Sequence, residues 1–168
     1  LVVGNPDLDA WAGFADLPGA RQEAETVVAM LRSGGFEVRE SIDERADSIL
    51  AGLHRDAWRI LHLAGHGVHE MTSDRGRTVS GMVIGRDAVL TPGDVEQMRW
   101  VPELVFINCC HLGKTARGEL ARFNILAANL AVQFVKMGVK AVVAAGWAVD
   151  DAAANAFAAS FYKHLLAG

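Results

Sequence analysis

The chain has 168 residues, of which 51% are hydrophobic and 21% charged, with a formal net charge of −4. That is enough sequence for one domain with a sizeable core, and the composition is not that of a disordered segment. The negative balance, with no basic run, argues against a nucleic-acid surface.

The two cysteines, Cys109 and Cys110, are sequence neighbours. Adjacent thiols make a poor structural staple, so a reducing, cytoplasmic setting is expected. No apolar run approaches the roughly 18 residues of a membrane span, and no membrane contact is expected. The opening "LVVGNPD" reads as a strand already under way. The expectation is a single domain over 1–168 that forms the C-terminal part of a longer protein.

Taken in order, 1–5 is an apolar strand closed by Asn-Pro. Residues 19–35 carry Ala24, Val27, Val28 and Leu31 at helical spacing and stop at Gly34-Gly35. Alternation makes 36–41 a half-exposed strand, 46–56 is a second helix, and 58–64 is a further strand. The polar stretch 68–80 reads as an exposed loop. Short strand-like pieces follow at 81–85 and near 87–91, then a short helix over 91–98 with Thr91 as its cap and Pro92 in its first turn. The central strand is 103–109. The helix 123–138 is apolar nearly all round and is expected to be well buried. A strand at 140–147 and a helix at 150–168, with acidic residues in its first turn, complete the chain.

Strands separated by helices imply an α/β fold whose mainly parallel sheet has helices on both faces. In such sheets, sites lie at the carboxyl ends of the strands. Two strand ends carry chemistry-bearing residues, "LAGHG" after 58–64 and "NCCHLG" after 103–109. If these strands are neighbours, His66 and Cys110 share one rim. An imidazole can then activate the thiol and return a proton to a leaving amine. The N–H groups of Gly67 and Cys110 are the natural donors for a developing oxyanion. Consecutive strand residues face opposite ways, so Cys109 and Cys110 cannot both point at one pocket.

The stretches "LHLAGHG", "PELVFINCCHLG" and "VKMGVKAVVAAGWAVDDAAANAFAASFYKHLLAG" closely resemble the CHAT domain, a caspase-like module of the clan CD cysteine peptidases. "LVVGNPD", "LPGARQEAETV", the S-G-M-V-I near 80–84 and "LTPGDVEQM" fall in the family's order. The resemblance thus covers nearly the whole chain and implies a three-layer caspase-like sandwich. Carried across, it makes His66 the general base and Cys110 the nucleophile. "NCCHLG" is also similar to the D-C-C-H-S-G of metacaspases, where the second cysteine attacks. Cys109 is then a core residue.

Asn108 stands where metacaspases carry an aspartate that binds a basic P1 residue. Its neutral amide leaves P1 preference open, and a basic preference would need another acid, Asp150 or Asp151. Asn108, His111, Trp147 and Asp150 are the candidate pocket residues. Trp147 serves equally well as a core aromatic, and the pair Asp150-Asp151 is first of all a helix-start feature. His62 reads as a buried packing residue rather than a second base, and His69 as a loop or rim residue. Adjacent cysteines suit zinc badly, and no phosphate-binding glycine pattern is present, so neither metal nor cofactor is expected.

The resemblance implies a cysteine endopeptidase acting on a protein or peptide substrate. It would work in a regulated bacterial defence or cell-death pathway, with a fused or separate N-terminal sensor. The alternative is a CHAT module that has lost its chemistry and serves as an adaptor in a signalling protein.

Overall fold

The computed structural model describes residues 1–11, 13–72, 76, 78–109, 120–145 and 150–168, with backbone alone over 120–127. Among these residues a five-stranded sheet runs in the order β2-β1-β3-β7-β8, every neighbouring pair parallel. Its members are β1 (Val2–Gly4), β2 (Glu40–Ile42), β3 (Ile60–Ala64), β7 (Leu104–Asn108) and β8 (Ala141–Ala144). The central strands are apolar along their length because both of their faces are covered.

Side-chain alternation divides the interior into two layers. On one face, Val2, Leu104 and Phe106 pack with Ala24, Val27, Val28 and Leu31 of α1 (Pro18–Ser33) and with Ala158 and Tyr162 of α5 (Asp151–Ala167). On the other, Leu61, Leu63, Val105 and Ile107 pack with Ile49 and Leu53 of α2 (Ala46–Arg55), Val95 of α3 (Pro92–Glu96), and Leu130 and Phe134 of α4 (Leu120–Met137). Parallel strands, each followed by a covering helix, form the mainly parallel α/β sandwich that the sequence implies.

The helix boundaries follow from local chemistry. Pro18 opens α1, where a missing N–H costs nothing. The helix closes with Gly35 at φ +82, Gly35 N–H donating to Arg32 O and Phe36 N–H to Leu31 O. These are the two bonds of a Schellman stop. α1 also lies close over β1, and a Cβ on Gly4 would collide with the Ala24 methyl. Thr91 and Asp94 form a reciprocal capping box at the start of α3, as the Thr-Pro opening suggested.

Three expectations need correction. The stretch 68–80 is not simply a loop: β4 (Gly67–Thr72) and β5 (Thr78–Gly85) pair antiparallel, and β6 (Ala88–Leu90) adds a third strand to a small second sheet. Of the expected strand 36–41, pairing to β1 begins only at Glu40. Finally, α4 is not buried all round, since Val132 and Val135 are exposed while Leu130 and Phe134 face the core. No helix among the described residues is long and apolar enough to cross a membrane.

Candidate active site

β3 and β7 are hydrogen-bonded neighbours, with Ala64 registered opposite Asn108. Gly65 N–H donates to Asn108 O at 3.1 Å and ties the two strand ends together just beyond the sheet. His66 follows, 2% exposed, and its own carbonyl accepts from Val83 N–H of β5 at 2.9 Å. The backbone is thus held on both sides: by the main sheet through Gly65 and by the small sheet through His66.

The His66 ring is fixed by the segment between β1 and α1. Its Nε2 lies 2.6 Å from the carbonyl oxygen of Ala15. A carbonyl only accepts, so Nε2 carries the proton. In the neutral ring Nδ1 is then the basic nitrogen. The edge of Phe14 meets the ring at 5.3 Å between centroids. The segment around Phe14 is itself anchored by Leu8, which packs with Val68 and Val83, and by Trp11 beside them. Burial draws the His66 pKa below its ordinary 6.5, and the hydrogen bond with Ala15 opposes that fall. The ring is therefore neutral, and able to accept a proton, at pH 7.

On the face of the sheet that α1 and α5 cover, a polar chain crosses the core. Asn108 Nδ2 donates to Glu23 Oε2 at 2.6 Å. Glu23 Oε1 lies 3.2 Å from His62 Nε2, without the alignment of a hydrogen bond. His62 Nδ1 and the Tyr162 hydroxyl are 3.3 Å apart, and the His62 ring stacks on Phe106. Glu23 and His62 are essentially inaccessible to solvent. Burial, with the Glu23 charge adding to it, raises the Tyr162 hydroxyl far above its usual range, so it stays protonated. His62 is a buried packing residue, as expected.

Among the described residues, two hollows border Asn108. One has a volume of about 20 Å³, room for a single water, and is lined by Glu23, Gly65, Asn108 and Asp151. Gly19 lets Asp151 approach there, since a Cβ would strike its carboxylate. The other is an almost wholly apolar cavity of about 300 Å³ walled by Phe106, Val143, Ala144, Ala154 and Phe157. A larger hollow of about 460 Å³, around Phe36, Trp58 and Arg59, lies at the amino ends of the strands, away from His66 and Asn108.

The remaining candidates divide clearly. Gly67 opens β4, buried and opposite Met82. Cys109 is buried in the layer with Val105 and Ile107 and packs as a core residue. The Asp150 carboxylate accepts from Ala152 and Ala153 N–H at 3.0 and 3.2 Å, which is the helix-start role. His69 lies on β4 rather than in a loop, and its Nδ1 is 3.2 Å from Ser80 Oγ. Cys110, His111 and Trp147 fall outside the described residues. Among the described residues, no group of three or more His, Cys, Asp or Glu side chains is placed to hold a metal ion.

The mainly parallel five-stranded sheet with helices on both faces is consistent with a caspase-like sandwich. The CHAT domain model matches residues 1–168, and the chain belongs to the CHAT domain family, whose members are typically caspase-like peptidase domains. No curated protein and no solved structure matches the chain.

Proposed function

We propose that the chain is a cysteine endopeptidase in which Cys110 is the nucleophile and His66 the general acid and base. The observation that carries the reading is the His66–Ala15 hydrogen bond. It places the proton on Nε2 and makes Nδ1 the basic nitrogen, at the end of a strand adjacent to the one that leads into Cys110. The parallel register supports the pairing, since His66 and Cys110 each stand two residues beyond a registered pair, Ala64 and Asn108.

The Cys110 thiol gives its proton to His66 Nδ1, and its sulfur attacks the scissile carbonyl carbon. The N–H groups of Gly67 and Cys110 stabilise the oxyanion. The C–N bond breaks as His66 returns the proton to the departing amine, leaving a thioester on Cys110. Water, deprotonated by the same imidazole, hydrolyses the thioester.

The hollows beside Asn108 suggest the substrate pocket. Asn108 already donates to Glu23, and the acidic hollow beside Asp151 admits only a water, so a lysine or arginine side chain does not fit there. The apolar cavity of about 300 Å³ has room for a leucine, methionine or phenylalanine at P1. The substrate is a protein, the setting a cytoplasmic bacterial defence or cell-death response, and activation falls to a fused or separate regulatory region.

A thiol-directed covalent peptide probe tests the assignment. Labelling should disappear in Cys110→Ala and His66→Ala and persist in Cys109→Ala. Labelling that follows Cys109, or its absence under every activating condition, would favour the adaptor alternative. A peptide-library profile should show uncharged, apolar P1 residues. A profile dominated by arginine and lysine would contradict the pocket.

A further inference from the structure

Beyond the packing of Leu8 and Trp11, the segment that supplies the Ala15 carbonyl is tied down by the Asn5 side chain. Asn5 ends β1 in a left-handed conformation, φ 46, and is 5% exposed. Its Oδ1 accepts from Leu17 N–H at 2.8 Å. Its Nδ2 uses both protons, one on Asp16 Oδ1 at 2.7 Å and one on Asp43 Oδ1 at 2.6 Å. Its backbone N–H donates to Ala64 O at 3.1 Å, on the strand that leads to His66. Arg21 closes the cluster from outside, with Nε 2.8 Å from Asp43 Oδ2 and Nη2 3.3 Å from Asp16 Oδ1, offsetting the two facing carboxylates. Residues 16 and 17 are therefore clamped directly after Ala15, while Asn5 itself is bonded to β3.

We propose that Asn5 is a positioning residue that sets the His66 imidazole through the Ala15 carbonyl. The inference takes the acid–base role of His66 from the reading above. Asn5 touches no reacting atom. It fixes the peptide that accepts the Nε2 proton, and so fixes which nitrogen is basic and where it points. An amide is required because the site asks one side chain to accept from a backbone N–H and to donate to two carboxylates at once. Aspartate could accept but not donate, and would place a third carboxylate against Asp16 and Asp43.

The test reads His66 directly. In the wild type the hydrogen-bonded His66 Nε2–H should give a nuclear magnetic resonance signal protected from solvent exchange, and iodoacetamide should alkylate Cys110 rapidly at pH 7. In Asn5→Ala the protected signal should be lost and Cys110 alkylation should slow by about tenfold or more, with cooperative unfolding retained. Asn5→Asp should behave the same way.

A folded Asn5→Ala variant with the protected signal intact and alkylation within about twofold of wild type would overturn the proposal. Should the Asn5 variants fail to fold, Arg21→Ala loosens the same clamp from the surface. An unchanged His66 signal there would also overturn it. Wild-type Cys110 that is inert, while the His66 signal still depends on Asn5, would sink the peptidase reading and leave the role of Asn5 standing.

Discussion

The His66 ring is buried, and burial draws its pKa below the ordinary value, so folding favours the neutral form. The consequence for stability has a definite sign. The folded-state pKa lies below the unfolded value of about 6.5, so the unfolded chain binds the extra proton first as pH falls. The neutral form's contribution is intact above pH 6.5 and is lost as pH drops through and below that value. Thermal unfolding midpoints measured from pH 7.5 down to 5 should therefore decline in the wild type. The decline should be shallower in His66→Asn, and an identical slope in the two proteins would contradict the burial argument. None of this was visible in the residues alone. A histidine before a glycine at a strand end could be flagged, but its partner is a backbone carbonyl, and any residue at position 15 would supply one. Asn5 was hidden for a related reason. "NP" reads as a strand terminator, and only the folded loop reveals that the amide makes three further bonds.

Among the elements, α1 and α5 form one layer with the sheet and enclose the chain of Glu23, His62, Asn108 and Tyr162. Glu23→Ala leaves Asn108 Nδ2 buried without its acceptor and removes the carboxylate that faces His62 Nε2. It should cost about 3 kcal/mol of unfolding free energy in denaturant titration. Tyr162→Phe removes one hydroxyl contact and should cost about 1 kcal/mol. On the other face, Phe134→Ala opens a void beside Leu130 and should cost roughly 3–5 kcal/mol, whereas Val135→Ala, one residue on and 59% exposed, should stay within about 0.5 kcal/mol. Equal effects at 134 and 135 would mean that the face of α4 is misassigned. The central strands were legible because parallel strands covered on both sides read as apolar runs. β4 was not, because Glu70 takes φ +50 and the pairing register shifts between Val68 and Met71. That breaks the two-residue alternation on which strand reading depends. Glu23 escaped notice because one acid in "RQEAE" looks like a solvated helix face, and only the packing of α5 over α1 buries it.

For the molecule as a whole, the arrangement gives each layer a separate task. The main sheet brings the ends of β3 and β7 together and ties them through Gly65 and Asn108. The small sheet holds the His66 backbone from the other side, and the segment after β1 lies over the ring and sets its proton. The parallel fold class and His66 at its rim could be read from the order and ends of the apolar runs. The second sheet and the overlying segment could not, because both depend on contacts between stretches far apart in sequence. The account rests on the imidazole and the thiol sharing that rim. A crystal structure that places Cys110 Sγ relative to His66 Nδ1 tests it most directly. The account predicts a separation of roughly 3–4 Å, with Nε2 still bound to Ala15 O. A sulfur beyond about 7 Å, or facing the opposite side of the sheet, would contradict it.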